Sequence, residues 1–451
     1  MNLAAYRLIS RALSPAYRVY LWRLGRKNIA FKNGREQRWG RFGSHPPKAG
    51  VIWVHAASVG EVRAAHSLID RLVFDGRSLY ITTNTPTGLE TLARRYRGTV
   101  EYGYAPVDVP GAVERFVDAL SPAAAVFIEL EIWPNRLDTL ARRSVSVALI
   151  NARLSAASLK RYQRLGALIK QSLRGLTCLC AQTEEDAQRF SELLGSDGPD
   201  NVRPDNVPVP KRHIHITGNL KFDQPVDARQ AEAGIRLRAF IGEERPVWVA
   251  ASIRQGESEL IRQAHQMVLE AFPDALLIAV PRHPERFQWP ADGADGSGEV
   301  WDRHVLNASD LNDSIALDRS TRVLLGDTMG EMTRYLSAGD LAFVGGSLVP
   351  VGGHNPLEPA ALGKPILMGP FVTNCQQIDA LLGRCAGRIR VETAADLAQS
   401  VTMLLRDRHF LEQTGRNAQT LIEAHRGASE RTLDILERCV LPPLRTPRAD
   451  H

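Results

Sequence analysis

The sequence predicts an α/β protein built on two doubly wound parallel sheets, and three observations carry that prediction. Short β-rich runs alternate with segments of helical length in the first half, the same alternation resumes in the second, and a Gly/Asp/Pro-rich, non-periodic interval at 195–212 separates them. The length agrees. A chain of 451 residues suits two or three domains, and 44% hydrophobic with 24% charged residues provides a large core in an ordinary globular protein.

Residues 1–48 stand apart from this pattern. They hold eleven Lys or Arg against the single acid Glu36, so this segment carries +10 and the remainder −4 of the formal net charge of +6. Apolar and aromatic residues such as Leu8, Leu13, Tyr17, Tyr20 and Trp22 are interleaved with Arg7, Arg11, Arg18, Arg23 and Arg26. The stretch is too interrupted for the roughly 20 apolar residues of a membrane span, and it lacks the small-residue cleavage site of a secretory signal. The expectation is a basic amphipathic helix lying on an anionic membrane surface, with its aromatics at the interface. Nucleic acid is not an expected partner, because the basic excess is terminal and no binding module accompanies it. The five cysteines are odd in number and scattered without a C-x-x-C pair, which argues against a disulfide framework or a zinc site and fits a reducing compartment.

The first sheet is expected from strands at 51–55, 79–83, 124–129, 145–150 and 176–181, the last placing Cys178 and Cys180 on one face. The second is expected from 247–251, 276–280, 323–325, 341–344 and 365–368, followed by successive helices over 394–440 that pack on the second domain, with a return to the first left open. A Gly/Asp patch at 292–298 reads as a surface loop. In open α/β sheets ligands bind beyond the carboxyl ends of the strands, so a cleft between two such domains is the natural site.

Several strand ends carry chemistry. His55-Ala56-Ala57-Ser58-Val59-Gly60-Glu61 leads from the first strand into a helix, where the helix N-terminus should favour ionised Glu61 and leave it either a helix cap or a general base. Glu129 and Glu131 close an apolar strand ahead of Trp133 and Pro134; an acid buried there needs a cation, a hydrogen-bond network or substrate, with Trp133 read as packing. Lys221 offers a positive charge near the domain crossover, and Arg282 and His283 emerge after an apolar strand. Gly326-Asp327-Thr328-Met329-Gly330-Glu331 repeats the strand-to-helix turn. The stretch from Phe343 to Ala360 combines four glycines with Asn355 as N-cap, Pro356 at the first helical position and Glu358 in a capping box, and reads as a phosphate cradle. No G-x-G-x-x-G with its acid, Walker A, D-x-D, G-x-S-x-G or H-E-x-x-H motif is found, which leaves a metal-free transferase using a carboxylate base.

Seven segments in order, at 55–61, 129–135, 151–155, 218–223, 281–286, 326–331 and 343–359, resemble the bacterial 3-deoxy-D-manno-octulosonic acid (Kdo) transferases over nearly the whole chain. The resemblance implies a GT-B fold of two Rossmann-like domains facing across a cleft. It divides the chain into a membrane-docking segment at 1–48, an acceptor domain at 49–212, a CMP-Kdo-binding domain at 213–425 and a C-terminal helix and tail at 426–451. It implies inverting transfer from CMP-Kdo to a tetraacyl-disaccharide lipid A precursor, with no metal and no cofactor. Peripheral or monotopic attachment to the cytoplasmic face of a bacterial inner membrane goes with it. By position, Glu61 is similar to the family's general base, and Glu129 and Lys221 to residues assisting the transition state. Pro281, Arg282, Met329, Gly330, Glu331, Asn355, Pro356, Leu357 and Glu358 are similar to its CMP contacts. Two departures affect the donor side: Arg254 replaces the usual His before x-Gly-Glu, and Asn374-Cys375 replaces Asn-Phe. Another nucleotide-sugar glycosyltransferase or an epimerase of the same fold would share the cleft but not the basic N-terminus. A catalytically silent lipid-binding protein would not need Glu61, Glu129 and Arg282 in these contexts.

Overall fold

The computed structural model describes residues 1–27, 29–32, 34–43, 46–195, 214–287, 289, 305–310 and 317–443. Two compact units result, one formed by Met1–Gln224 with His425–His451 and the other by Pro225–Ala424.

The sheet of the first unit contains β1 (Ile52–His55), β2 (Leu79–Thr83), β3 (Glu101–Tyr104), β4 (Ala124–Ile128), β5 (Ser146–Ala152), β6 (Cys178–Ala181) and β7 (Ile214–Ile216). Its order is β3-β2-β1-β4-β5-β6-β7, and the pairings are parallel throughout. Helices cover both faces, so the central strands are apolar on both sides: Ile52 and Val54 enter one core cluster while Val51 and Trp53 enter the other. Cys178 and Cys180 share a face as expected, with Leu179 and Ala181 opposite.

The second unit repeats the plan with β8 (Val247–Ile253), β9 (Leu276–Pro281), β10 (Val305–Asn307), β11 (Val323–Leu325), β12 (Leu341–Val344), β13 (Ile366–Met368) and β14 (Arg388–Arg390). Here the order is β10-β11-β9-β8-β12-β13-β14, again wholly parallel. Strand order reverses between β1 and β4 in one sheet and between β8 and β12 in the other. Because each sheet is parallel, the carboxyl ends of its strands share one edge, and the reversal opens a crevice there.

The units divide at Gln224, beyond the boundary expected at 212. The interval 196–213 and the loop at 292–298 lie outside the described residues, but β7 pairs with β6 and thereby ties the chain up to Gln224 to the first unit. The helices at 394–440 divide likewise. The last of them, Ala428–Cys439, belongs to the first unit, where Leu433 and Leu436 join the cluster of Leu68 and Leu72. Asp223 fixes its start by accepting hydrogen bonds from Gly427 N (2.7 Å) and Ser429 N.

The N-terminal helix Leu3–Lys27 packs on the first unit through few groups. Tyr6 Oη donates to Asp108 (2.9 Å), Arg7 pairs with Asp138, and Leu21 is buried with Trp39, Val107 and Ala112. Leu8, Leu13, Tyr20 and Trp22 remain exposed, Leu8 by 71%. No helix among the described residues is long and apolar enough to cross a membrane.

Candidate active site

At the carboxyl end of β1 the chain turns into the helix Val59–Ala64 with Ser58 as N-cap. Glu61 Oε2 accepts from Ala57 N (2.7 Å) and Oε1 from Ser58 Oγ (2.9 Å), while Ser58 Oγ accepts from Glu61 N (3.3 Å). Cap and candidate base are therefore one group: the capping network fixes the carboxylate at the strand end. Its protonation departs from the sequence expectation. Burial, reinforced by the Glu129 charge, outweighs the Ala57 N–H and pushes Glu61 up to about 7, so the ionised form is disfavoured rather than favoured.

Glu129 lies one residue past β4 with φ 62°, a left-handed conformation uncommon outside glycine. That reversal ends the strand alternation and sends Glu129 and Glu131 to different partners. Glu129 Oε1 accepts from Lys221 Nζ at 3.0 Å. Lys221 sits on the 3₁₀ turn Leu220–Asp223, which is held by Asn219 Oδ1 on Lys221 N (3.0 Å) and by Asn151 Oδ1 on Leu220 N (3.0 Å). Asn151 comes from β5 and is itself left-handed, at φ 50°. The three catalytic candidates Glu61, Glu129 and Lys221 thus meet at the edge where the first sheet reverses.

Glu131 belongs to a relay that sequence reasoning missed. Trp53 Nε1 donates to Thr82 Oγ1 (2.8 Å), Thr82 Oγ1 lies 2.9 Å from His55 Nδ1, His55 Nε2 lies 2.9 Å from Glu131 Oε2, and Trp133 Nε1 donates to the same oxygen (2.5 Å). Burial holds His55 below its ordinary value, so it is neutral near pH 7. The network then assigns the proton to Nε2, with Nδ1 accepting from Thr82. Burial pulls Glu131 upward, but the His55 hydrogen bond, the nearby Arg136 charge and the Trp133 N–H bring it well below the usual carboxylate range. Trp133, expected only to pack, is a hydrogen-bond donor. His55 is visible in the motif, but nothing in the local pattern shows its connection to Thr82 on the neighbouring strand.

The donor-side candidates collect at the carboxyl edge of the second sheet. Pro281 ends β9 and Arg282 follows it, with Arg282 N donating to Ile253 O (3.0 Å). Met329, Gly330 and Glu331 form the turn after β11; Met329 is exposed, Gly330 has φ 85°, and Glu331 Oε2 accepts from Thr328 Oγ1 (2.5 Å) and pairs with Arg334 (3.1 Å). Asn355 Oδ1 accepts from Leu357 N (3.2 Å) as the helix Leu357–Ala361 begins, carrying Glu358 in its first turn with Pro356 just ahead.

The glycine loop is not the open cradle expected from its sequence. The N–H groups of Gly346, Ser347 and Leu348 donate to the Glu257 carboxylate at 2.7, 3.0 and 3.0 Å. An internal carboxylate takes the amides that follow the first glycine pair, which are not the helix-start donors near Asn355 from which the anion site was expected. Beside it stand basic groups: burial, together with the charges of Arg254, Arg282 and His283, lowers His354 to about 4. Next to the second departure, Cys375, Asn374 braces the return of the loop, with Asn374 N donating to Gly352 O (2.8 Å) and Asn374 Nδ2 to Val351 O (3.1 Å).

Residues 33–224 match the family described as 3-Deoxy-D-manno-octulosonic-acid transferase (kdotransferase). A 3-deoxy-D-manno-octulosonic acid transferase of Haemophilus influenzae is 34% identical over 94% of this chain and 95% of its own length. The chain belongs to the Kdo transferase family. The Bordetella pertussis member is 33% identical over 97% of this chain and 99% of its own. Among solved structures, UDP-GlcNAc 2-epimerase from Neisseria meningitidis superposes with a TM-score of 0.55 at 13% identity, covering 86% of this chain and all of that one. The two units are those of a GT-B fold, and this Kdo transferase is a glycosyltransferase.

Proposed function

We propose that this Kdo transferase moves Kdo from CMP-Kdo to a hydroxyl of the tetraacyl-disaccharide lipid A precursor, with inversion and without a metal. The observation that carries the reading is Glu61, held by Ala57 and Ser58 at the switch point and pushed up to about 7 beside the Glu129–Lys221 pair. A base with that value is matched to a reaction near neutral pH. Glu61 takes the proton of the acceptor hydroxyl as its oxygen attacks the anomeric carbon, and the bond from that carbon to the CMP phosphate breaks. Lys221, oriented by Glu129, supplies positive charge as negative charge redistributes. CMP leaves as a phosphate monoester, so Arg282 and the basic groups around it can stabilise the departing anion.

The N-terminal helix supports an anionic membrane surface as partner, since its exposed Leu8, Leu13 and Trp22 alternate with arginines. In this reading the protein attaches peripherally to the cytoplasmic face of the inner membrane. Purified protein is tested with CMP-Kdo and with UDP-sugars on the same acceptor. Transfer from CMP-Kdo alone supports the assignment, and equal use of a UDP-sugar removes it.

A further inference from the structure

Glu257 has no role in the transfer step, yet its carboxylate fills the glycine loop. Successive backbone N–H groups in a turn make a concavity for an anion. Here the anion comes from the neighbouring strand: Glu257 follows β8, the loop follows β12, and these two strands are adjacent where the sheet order reverses. Glu257 is 0% exposed. Its Oε1 accepts from Ser347 N and Leu348 N, both at 3.0 Å, and its Oε2 accepts from Gly346 N (2.7 Å) and Arg254 N (2.9 Å). Four backbone donors satisfy a buried carboxylate as an anion. A phosphate entering the same turn would lose those donors to Glu257 and meet a like charge.

The bonds made by Oε2 also set the basic groups. One oxygen ties the backbone of Arg254 to that of Gly346, and the loop folds back with Gly353 N on Gly346 O (2.7 Å) and His354 N on Gly345 O (3.1 Å). Gly346 has φ 70°, and a Cβ built on it would stand 3.0 Å from His354 Cδ2 and 3.5 Å from Arg254 Cγ. Arg254 and His354 therefore both pack against the residue that Glu257 anchors.

We propose that Glu257 is a positioning residue of the donor site: its carboxylate fills the loop's N–H concavity, so the donor's phosphate is received by Arg254, Arg282, His283 and His354 and not by the loop amides. Arg254, where the family commonly has His, then supplies a permanent charge in place of a titratable one. This rests on reading the second unit as the donor-binding one.

Hydrogen–deuterium exchange on the unmodified protein, with and without CMP, tests the first half. Protection of the 346–348 amides before CMP is added, unchanged by it, is expected; fast exchange that slows only with CMP overturns the proposal. This readout does not depend on the donor assignment, because protection without nucleotide is independent of what binds. Kinetics test the second half. Glu257→Gln should raise the donor KM by about tenfold or more while kcat stays within about threefold and the acceptor KM is unchanged, as loss of uniform binding requires. Glu257→Asp should restore part of the donor KM. A donor KM equal to wild type in both variants, or equal losses in donor and acceptor KM, overturns the positioning role.

Discussion

Glu61 stands at the carboxyl end of β1 with its carboxylate held by Ala57 N and Ser58 Oγ. Its position at the end of an apolar run and the start of a helix is local, and so is the Ser58 cap. The upward shift depends on burial and on Glu129 from another strand, neither of which a local pattern contains. Glu61→Gln should leave CMP affinity near wild type and reduce kcat by about 10²–10⁴-fold, the usual range for a general base; calorimetry and steady-state kinetics check this. The rate should depend on pH with a definite sign. As the proposed base Glu61 has to be ionised to accept a proton, so kcat/KM should rise with pH through about 7. The Glu129 charge raises Glu61, so Glu129→Gln should move that acid limb to lower pH as well as slow the reaction. A limb that stayed in place or moved up would show that Glu129 does not act on Glu61. The internal occupant of the glycine loop was similarly hidden, because Glu257 and Gly346 are joined only by the sheet order.

At the level of elements, the strands that the sequence showed are the ones buried on both faces. The four it did not show are β3, β7, β10 and β14, which form the outer edges of the two sheets. Their sequences, Glu-Tyr-Gly-Tyr, Ile-His-Ile, Val-Leu-Asn and Arg-Ile-Arg, are short and partly polar. An edge strand has one neighbour and less cover, so it does not need the continuous apolar run of a central parallel strand. The return of the last helix to the first unit was one of two arrangements that the sequence left open: its apolar face is plain, but periodicity does not say which surface receives it. Asp223 holds that helix start from the other end of the chain. Asp223→Ala should lower the unfolding free energy by about 0.5–2 kcal/mol, the range for a lost cap, and shift the urea midpoint while CMP affinity is unchanged. An unaltered midpoint would mean that the packing of Leu433 and Leu436 and the Arg431–Thr217 hydrogen bond hold the helix without it.

Over the whole molecule, two repeated parallel sheets bring the carboxyl ends of their strands to two edges, and the motifs that stand far apart in sequence collect there. The N-terminal helix adds a surface of another kind, with exposed apolar side chains on one part and Tyr6 and Leu21 holding it to the first unit. Replacing Leu8, Leu13 and Trp22 by Ser should therefore release the protein from anionic vesicles without unfolding it, and salt should weaken binding of the wild type, since each nearby Lys or Arg contributes about 1 kcal/mol to such attraction. Vesicle flotation at low and high salt measures both; full binding by the triple variant would assign attachment elsewhere. Glu61 is the proposed base for Kdo transfer from CMP-Kdo. The most direct test of this role is mass spectrometry of the lipid product from purified wild type and Glu61→Gln, each given CMP-Kdo and the tetraacyl-disaccharide precursor. Wild type should yield precursor bearing Kdo with release of CMP, and the variant almost none. No Kdo on the lipid with wild type, or an undiminished yield with Glu61→Gln, would rule out Glu61 as the base of this transfer.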